Sequence, residues 1–338
     1  MKIKTINSIL TKKFNEFLET IDDEEVRRLV KDNTVITGGC IASMLLKEKI
    51  NDFDLYFTDI LTTYKVAKYY LYKMCGEETE DCQVQICTKR DNHQWMDIRK
   101  DDNGIPLSVQ PNIEKILCTY KPTSGEDIKY RVRVYIRSRG ALGEQEPDIE
   151  PDQYDPLENE ESKTIAEAMD DLEDAVNENG KYNPTFITDN AITLSNRIQL
   201  VLRFYGKANI IHENYDYVHV TNYWESKTGK VVTNNKALEA ILAKELVYTG
   251  SRYPLASIFR IRKFIQRGWT INVGQILKAV MQLTDMDLDN PHIFAEQVMG
   301  VDVHYMAQLV KAIQAKKEEE PDLDVKSYAM NIIEKIFG

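Results

Sequence analysis

The stretch from Thr34 to Phe57 constrains this chain most. Thr34-Val35-Ile36-Thr37 is a short β-forming run, Gly38-Gly39 follows it, residues from about Cys40 to Lys49 read as a helix, and Asp52 to Phe57 alternates as a strand. Successive strand side chains point to opposite faces, so Asp52 and Asp54 share one face while Phe53, Leu55 and Phe57 take the other. Two carboxylates are thereby held close together on a rigid element.

Such a pair suits Mg²⁺, a hard cation usually bound by one or two carboxylates plus substrate phosphates. Two ions about 3.5 to 4 Å apart would ease an in-line phosphoryl displacement at both the attacking and the leaving oxygen. Taken alone, an acidic pair on a strand is common. The paired glycines change its weight, because they let the backbone approach a ligand closely, and the helix they open offers unpaired N–H groups to phosphate oxygens. Gly38, Gly39, Cys40 and Ser43 form the expected nucleotide-binding set, with a nucleoside triphosphate as donor.

Residues 35 to 57, V-I-T-G-G-C-I-A-S-M-L-L-K-E-K-I-N-D-F-D-L-Y-F, resemble the signature of the DNA polymerase β superfamily of nucleotidyltransferases. The layout is similar to the head domain of class II CCA-adding enzymes and bacterial poly(A) polymerases. By that resemblance Gly38 and Gly39 bind triphosphate and Asp52 and Asp54 bind metal. Ala42-Ser43 stands where the CCA-adding pattern has Arg-Asp, and that family's Glu-Asp-x-x-Arg motif has no counterpart, so CCA addition itself is not implied. Enzymes of this kind usually use a third carboxylate on a neighbouring strand. Two candidates remain open: Asp216 in N-Y-D-Y-V-H-V, which is favoured, and Asp97 in W-M-D-I-R. The run from Asp189 through Ile198-Gln199-Leu200-Val201 to Tyr217 is similar to nucleotidyltransferase-like proteins often encoded by bacteriophages, which implies that the core sheet resumes there. His212 and His219 flank Asp216 and read as structural histidines rather than ligands.

At 338 residues and 43% apolar composition the chain can bury a sizeable core, and about 150 residues per domain suggests two domains. Residues 1–235 are expected to form the nucleotidyltransferase domain, an α+β mixed sheet with flanking helices and an insertion at about residues 76–181. The first 31 residues and residues 61 to 75 read as helix. Gln83 to Thr88, Gln94 to Arg99, Tyr130 to Ser138, Phe186-Ile187, Ala191 to Leu194, Ile198 to Phe204 and Tyr215 to Val220 read as strands. Residues 236–338 are expected to form an all-helical substrate-binding domain.

The net charge of −11 is concentrated: residues 141 to 180 hold 15 Asp or Glu and one Lys, which leaves the rest of the chain at +3. A polyanionic substrate therefore stays admissible. The acidic block reads as a mobile loop to about Asn159, then an acidic helix from about Lys163 to Val176. The five cysteines include no C-x-x-C and are expected to be reduced thiols. No run of roughly 20 apolar residues or signal peptide is visible, so the expected setting is the cytoplasm, that of a bacterial host if the chain is phage-encoded.

In the tail, S-R-Y-P-L-A-S-I-F-R-I-R-K-F-I-Q-R-G-W reads as a helix opened by Pro254 and closed by Gly268. Ile258, Ile261 and Ile265 are expected to face the core, and Arg260, Lys263 and Arg267 to form a basic stripe for substrate phosphate. The layout is loosely similar to the basic helix that follows the catalytic head in CCA-adding enzymes. The whole reading is Mg²⁺-dependent transfer of a nucleoside monophosphate from an NTP to an acceptor hydroxyl, with RNA as first choice and the 3′ end of a transfer RNA as a candidate acceptor. The alternatives are a protein or small-molecule acceptor, as in toxin-like members of the superfamily, and a non-catalytic binding or structural module of a phage.

Overall fold

The computed structural model describes residues 1–89, 95–136 and 182–288, with scattered positions between 290 and 328. The expected acidic loop and the acidic helix from Lys163 lie outside the described residues. The chain divides into two units: residues 1–213 with 222–233, and residues 214–221 with 234–338. Among the described residues, no helix is long and apolar enough to cross a membrane.

The first unit is a mixed α+β layer structure. The leading helical stretch is broken by Thr20 to Asp23 into α1 (Ile3–Glu19) and α2 (Glu24–Asn33), because Asp23 caps the second helix by accepting the Val26 N–H. Next come β1 (Thr34–Thr37), α3 (Gly39–Leu46), β2 (Phe53–Phe57) and α4 (Ile60–Cys75), the last capped by Asp59. Then follow β3 (Cys82–Lys89), β4 (Trp95–Asp97), α5 (Ile113–Thr119) and β5 (Tyr130–Ile136), then β6 (Pro184–Ile187), β7 (Ala191–Leu194) and β8 (Ile198–Tyr205). The unit closes with α6 (Ala208–His212), β9 (Tyr223–Glu225) and β10 (Lys230–Val232).

Among the described residues, seven strands form the main sheet in the order β10-β9-β1-β2-β8-β7-β6, and β4-β3-β5 form a second, smaller sheet. The β2–β8 pair is parallel and, among the described residues, the other pairs of the main sheet are antiparallel. Its core face follows from alternation: Ile36 lies opposite Leu55, and Leu55 opposite Leu200, and all three are at most 1% exposed. They join α1, α2 and α4 in one apolar cluster with Phe14, Phe17, Phe57, Tyr70 and Trp224. Burial of that face fixes the register, since a slip by one residue would turn Asp54 into the core.

The second unit is built around helices α7 (Asn235–Ala243), α8 (Pro254–Gln266) and α9 (Val273–Thr284). The expected strand from Tyr215 to Val220 is not one. Val218–Val220 is a 3₁₀ turn, and the segment belongs to the helical unit rather than to the main sheet. Tyr217 makes an isolated bridge to Tyr248 and donates its hydroxyl to the Ser257 carbonyl, while His219 packs on Phe264 and Trp269. Of the expected core stripe on α8, Ile261 is buried, Ile258 is half-buried and Ile265 is 53% exposed. The buried face of α8 therefore runs through Ala256, Ser257 and Ile261 and not out to its last turn.

Candidate active site

The face of the main sheet turned away from the apolar cluster carries one row of side chains across five strands. Register places Tyr223, Thr37, Asp54, Gln199 and Thr193 side by side on β9, β1, β2, β8 and β7. Asp54 is the acidic member of that row. Asp52 lies just before β2 and is exposed, whereas Asp54 is partly covered. The loop that presents Asp52 is tied down by Arg197, whose guanidinium donates to the Ile50 carbonyl at 3.1 Å and whose own carbonyl accepts from Phe53 N–H at 2.7 Å.

Gly38 sits between β1 and α3 with φ +97°, a conformation L side chains rarely adopt. A β-carbon there would stand 2.6 Å from Asp54 Oδ2. The absent side chain is thus what admits the carboxylate against the start of α3, where the first backbone N–H groups have no intrahelical partner. Gly39 is different, with nothing within 4 Å of the position its β-carbon would take.

Electrostatics agree with the geometry. Burial, then the neighbouring charge of Asp52, pushes the Asp54 carboxyl well above the usual carboxylate range. The Cys40 thiol, in the first turn of α3, is driven up by burial and by Asp54 and Asp52 in turn. Cys40 therefore stays a neutral thiol, and its Sγ points to the Thr37 carbonyl at 3.9 Å. Ser43, one turn on, is only 7% exposed. Two carboxylates crowd together here, and their donor atoms are all oxygen, a set that fits a hard divalent cation.

Of the two candidates for a third carboxylate, neither stands on a strand beside β2. Those strands are β1 and β8, and opposite Asp54 they carry Thr37 and Gln199. Asp97 lies on β4 of the smaller sheet, buried, with Arg99 Nη2 at 2.6 Å from its Oδ2. Asp216 lies in the helical unit, where its Oδ2 receives Arg260 Nη1 at 2.5 Å. Each of these carboxylates thus serves an ion pair. Among the described residues, no group of three or more His, Cys, Asp or Glu is arranged to hold a metal.

What a reading of sequence does not give is the partner of His212. His212 Nε2 lies 2.9 Å from Thr37 Oγ1, and its ring stacks edgewise on Tyr223 at 5.6 Å. Thr37 Oγ1 donates to the Asn222 carbonyl, so the histidine supplies the proton in the other bond. Burial lowers His212 to about 4, which keeps the ring neutral. His212 thereby fixes the residue directly beside Asp54.

Of the expected basic stripe, Arg260 is engaged by Asp216, Arg267 caps the end of α8, and Lys263 is exposed.

Comparison with known proteins adds three findings. A family model described as "Gabija anti-defense 2 family protein" matches residues 8–244. A search among curated proteins finds no match. Among solved structures, the Bacillus stearothermophilus CCA-adding enzyme in complex with CTP is similar at 9% identity and TM-score 0.34, covering 88% of this chain and 51% of that one. The Thermotoga maritima CCA-adding enzyme complexed with tRNA is similar at 10% identity and TM-score 0.33, with 91% and 55% covered. The chain spans about half the length of these two proteins.

Proposed function

The chain belongs to the Gabija anti-defense 2 family, and with that as premise we propose that its first unit is a metal-dependent nucleotidyltransferase of the polymerase β kind. The close approach of Asp54 to Gly38 at the head of α3 carries this reading. It brings an acidic pair and a bare helix N-terminus together, which is what a metal-bound triphosphate needs. The reaction is transfer of a nucleoside monophosphate from an NTP to an acceptor hydroxyl, with RNA as first choice of acceptor. We take this transfer to be the means by which the chain would act against the defence named in its family's description.

Asp52 and Asp54 would hold Mg²⁺, which when bound offsets phosphate charge and polarises the reacting phosphoryl group. Backbone N–H groups from Gly39 onward would receive phosphate oxygens, and Gly38 keeps that approach open. Thr37, held by His212 and Asn222, keeps the neighbouring strand end in place. Lys263 of the helical unit would meet acceptor phosphate.

The test is incubation with an α-labelled NTP, Mg²⁺ and RNA. Labelled RNA that is lost in Asp52→Ala and Asp54→Ala supports the reading, while labelled protein beside unlabelled RNA moves the acceptor to protein. A second reading, nucleotide binding without turnover, draws on Gln199, the uncharged residue opposite Asp54 on β8. Calorimetry with each NTP separates the two: Mg²⁺-dependent binding without released pyrophosphate favours the second, and no such binding removes both.

A further inference from the structure

Away from the candidate site, the C-terminal end of α4 and the start of β3 bring two sulfurs together. Cys75 is the last residue of α4 and Cys82 the first of β3, and the Cys82 thiol donates to Cys75 Sγ at 2.8 Å. That separation is inside contact distance for unbonded sulfurs, and longer than the about 2.05 Å of a disulfide.

The loop between them is held in several ways. Gly76 takes φ +79° directly after the helix, and its N–H bonds back to the Tyr72 carbonyl. Thr79 and Cys82 exchange both backbone hydrogen bonds. Glu78 accepts from the Val84 N–H with one oxygen and pairs with Lys68 of α4 through the other at 3.1 Å. The sulfurs thus meet within a pinned turn rather than by chance of two free ends. Their environments differ: Cys75 is exposed and Cys82 half-buried.

We propose that Cys75 and Cys82 form a reversible thiol–disulfide pair, closed by a small-molecule disulfide, that clips the end of α4 to β3. The Cys75 thiolate attacks one sulfur of the small disulfide, whose S–S bond breaks and whose other half leaves and takes a proton. Cys82, its proton passed to water, then attacks Cys75 Sγ and expels the second half as a thiol. Two protein thiols are oxidised and one disulfide is reduced to two thiols. Exposure and the hydrogen bond it receives make Cys75 the first nucleophile. Cys82, raised to about 12 by burial and by Cys75, is the resolving partner.

The four acidic residues of the loop, Glu77, Glu78, Glu80 and Asp81, would repel an anionic disulfide. The experiment therefore treats the reduced full chain with the neutral disulfide of 2-mercaptoethanol, quenches with an alkylating agent, and digests without reduction after glutamate. Cleavage at Glu77, Glu78 or Glu80 leaves Cys75 and Cys82 on separate peptides unless they are bridged. The expected result is a linked pair lighter by two hydrogens, with exposed Cys118 carrying the reagent as an internal control. In Cys82→Ser the mixed disulfide should remain on Cys75, and in Cys75→Ser little should form on Cys82. Reagent or alkyl groups on both Cys75 and Cys82 while Cys118 has reacted, or a bridge from either to Cys118, would overturn the proposal.

Discussion

Asp54 Oδ2 occupies the space that a β-carbon on Gly38 would need, at 2.6 Å from it. A Gly38→Ala chain must therefore push the carboxylate off the head of α3 and also hold a side chain at φ +97°. With ψ at −152°, this backbone lies in a region essentially reserved for glycine, at a cost to an L residue on the order of 1 to 3 kcal/mol. We expect Gly38→Ala to lose about 2 kcal/mol of stability and at least tenfold in Mg²⁺-dependent NTP affinity. Gly39→Ala, whose β-carbon meets nothing within 4 Å, should melt within about 0.5 kcal/mol of the parent. Equal losses in the two variants, measured by denaturant unfolding and calorimetry, would remove the special role of Gly38.

The raised Asp54 carboxyl marks a place where two negative charges are held close together. Desolvation and Asp52 both oppose ionisation there. Asp54→Asn removes that opposition, so the metal-free protein should melt at a higher temperature than the parent at neutral pH. The same variant should gain nothing from Mg²⁺ and NTP, where the parent at a hundredfold excess over its dissociation constant gains about 2.7 kcal/mol. A variant that is less stable without metal, or equally stabilised by NTP with Mg²⁺, would contradict a binding role for the pair.

Much of this site could be read locally, and its limits are local too. Glycine pairs and strand alternation act over a few residues, which is why Gly38-Gly39 and Asp54 are legible before any fold is known. Alternation fails for Tyr215 to Val220, where tyrosines and valines look like strand, but Tyr217 packs on Tyr248 and Phe264, and His219 on Phe264 and Trp269, aromatic groups that arrive later in the chain. Helical spacing likewise places Ile265 on the face of Ile261, yet Ile265 stands one residue before the end of α8 at Gln266 and is 53% exposed. His212 is hidden for another reason: Thr37, its partner, lies 175 positions away, and no short-range pattern reports such a pairing.

That buried histidine gives a pH prediction. An ordinary imidazole titrates near 6.5, and burial lowers His212 to about 4. Between those values the unfolded chain holds a proton that the folded chain does not, so stability rises with pH across this window and is complete above it. The contribution lost on going from pH 7 to pH 4 is at most about 3 kcal/mol. His212→Gln keeps a donor for Thr37 without a titrating ring, and should flatten the slope of the first unit's unfolding between pH 4 and 6.5. An unchanged slope in that variant would mean that the ring is already protonated in the fold.

The pairing of Asp216 with Arg260 decides how the basic stripe on α8 should behave. The Asp216 side chain is 11% exposed and its Oδ2 lies 2.5 Å from Arg260 Nη1, so Arg260→Ala strands a buried carboxylate. Because the guanidinium itself is 37% exposed, the loss is set below that of a fully buried pair, at roughly 2 kcal/mol, and should be seen in unfolding of the helical unit. Lys263, exposed on the same helix, should change stability by less than about 0.5 kcal/mol when replaced by Ala. If α8 follows an RNA backbone, Lys263→Ala instead weakens RNA binding across sequences and lowers the slope of log affinity against log salt by about 1. Replacing both Asp216 and Arg260 by apolar residues should recover much of the stability lost in Arg260→Ala, since neither partner is then left alone. A double variant no more stable than Arg260→Ala would show that Asp216 is needed for something other than this ion pair, and metal-dependent NTP binding by that variant would then reveal whether the need is the nucleotide.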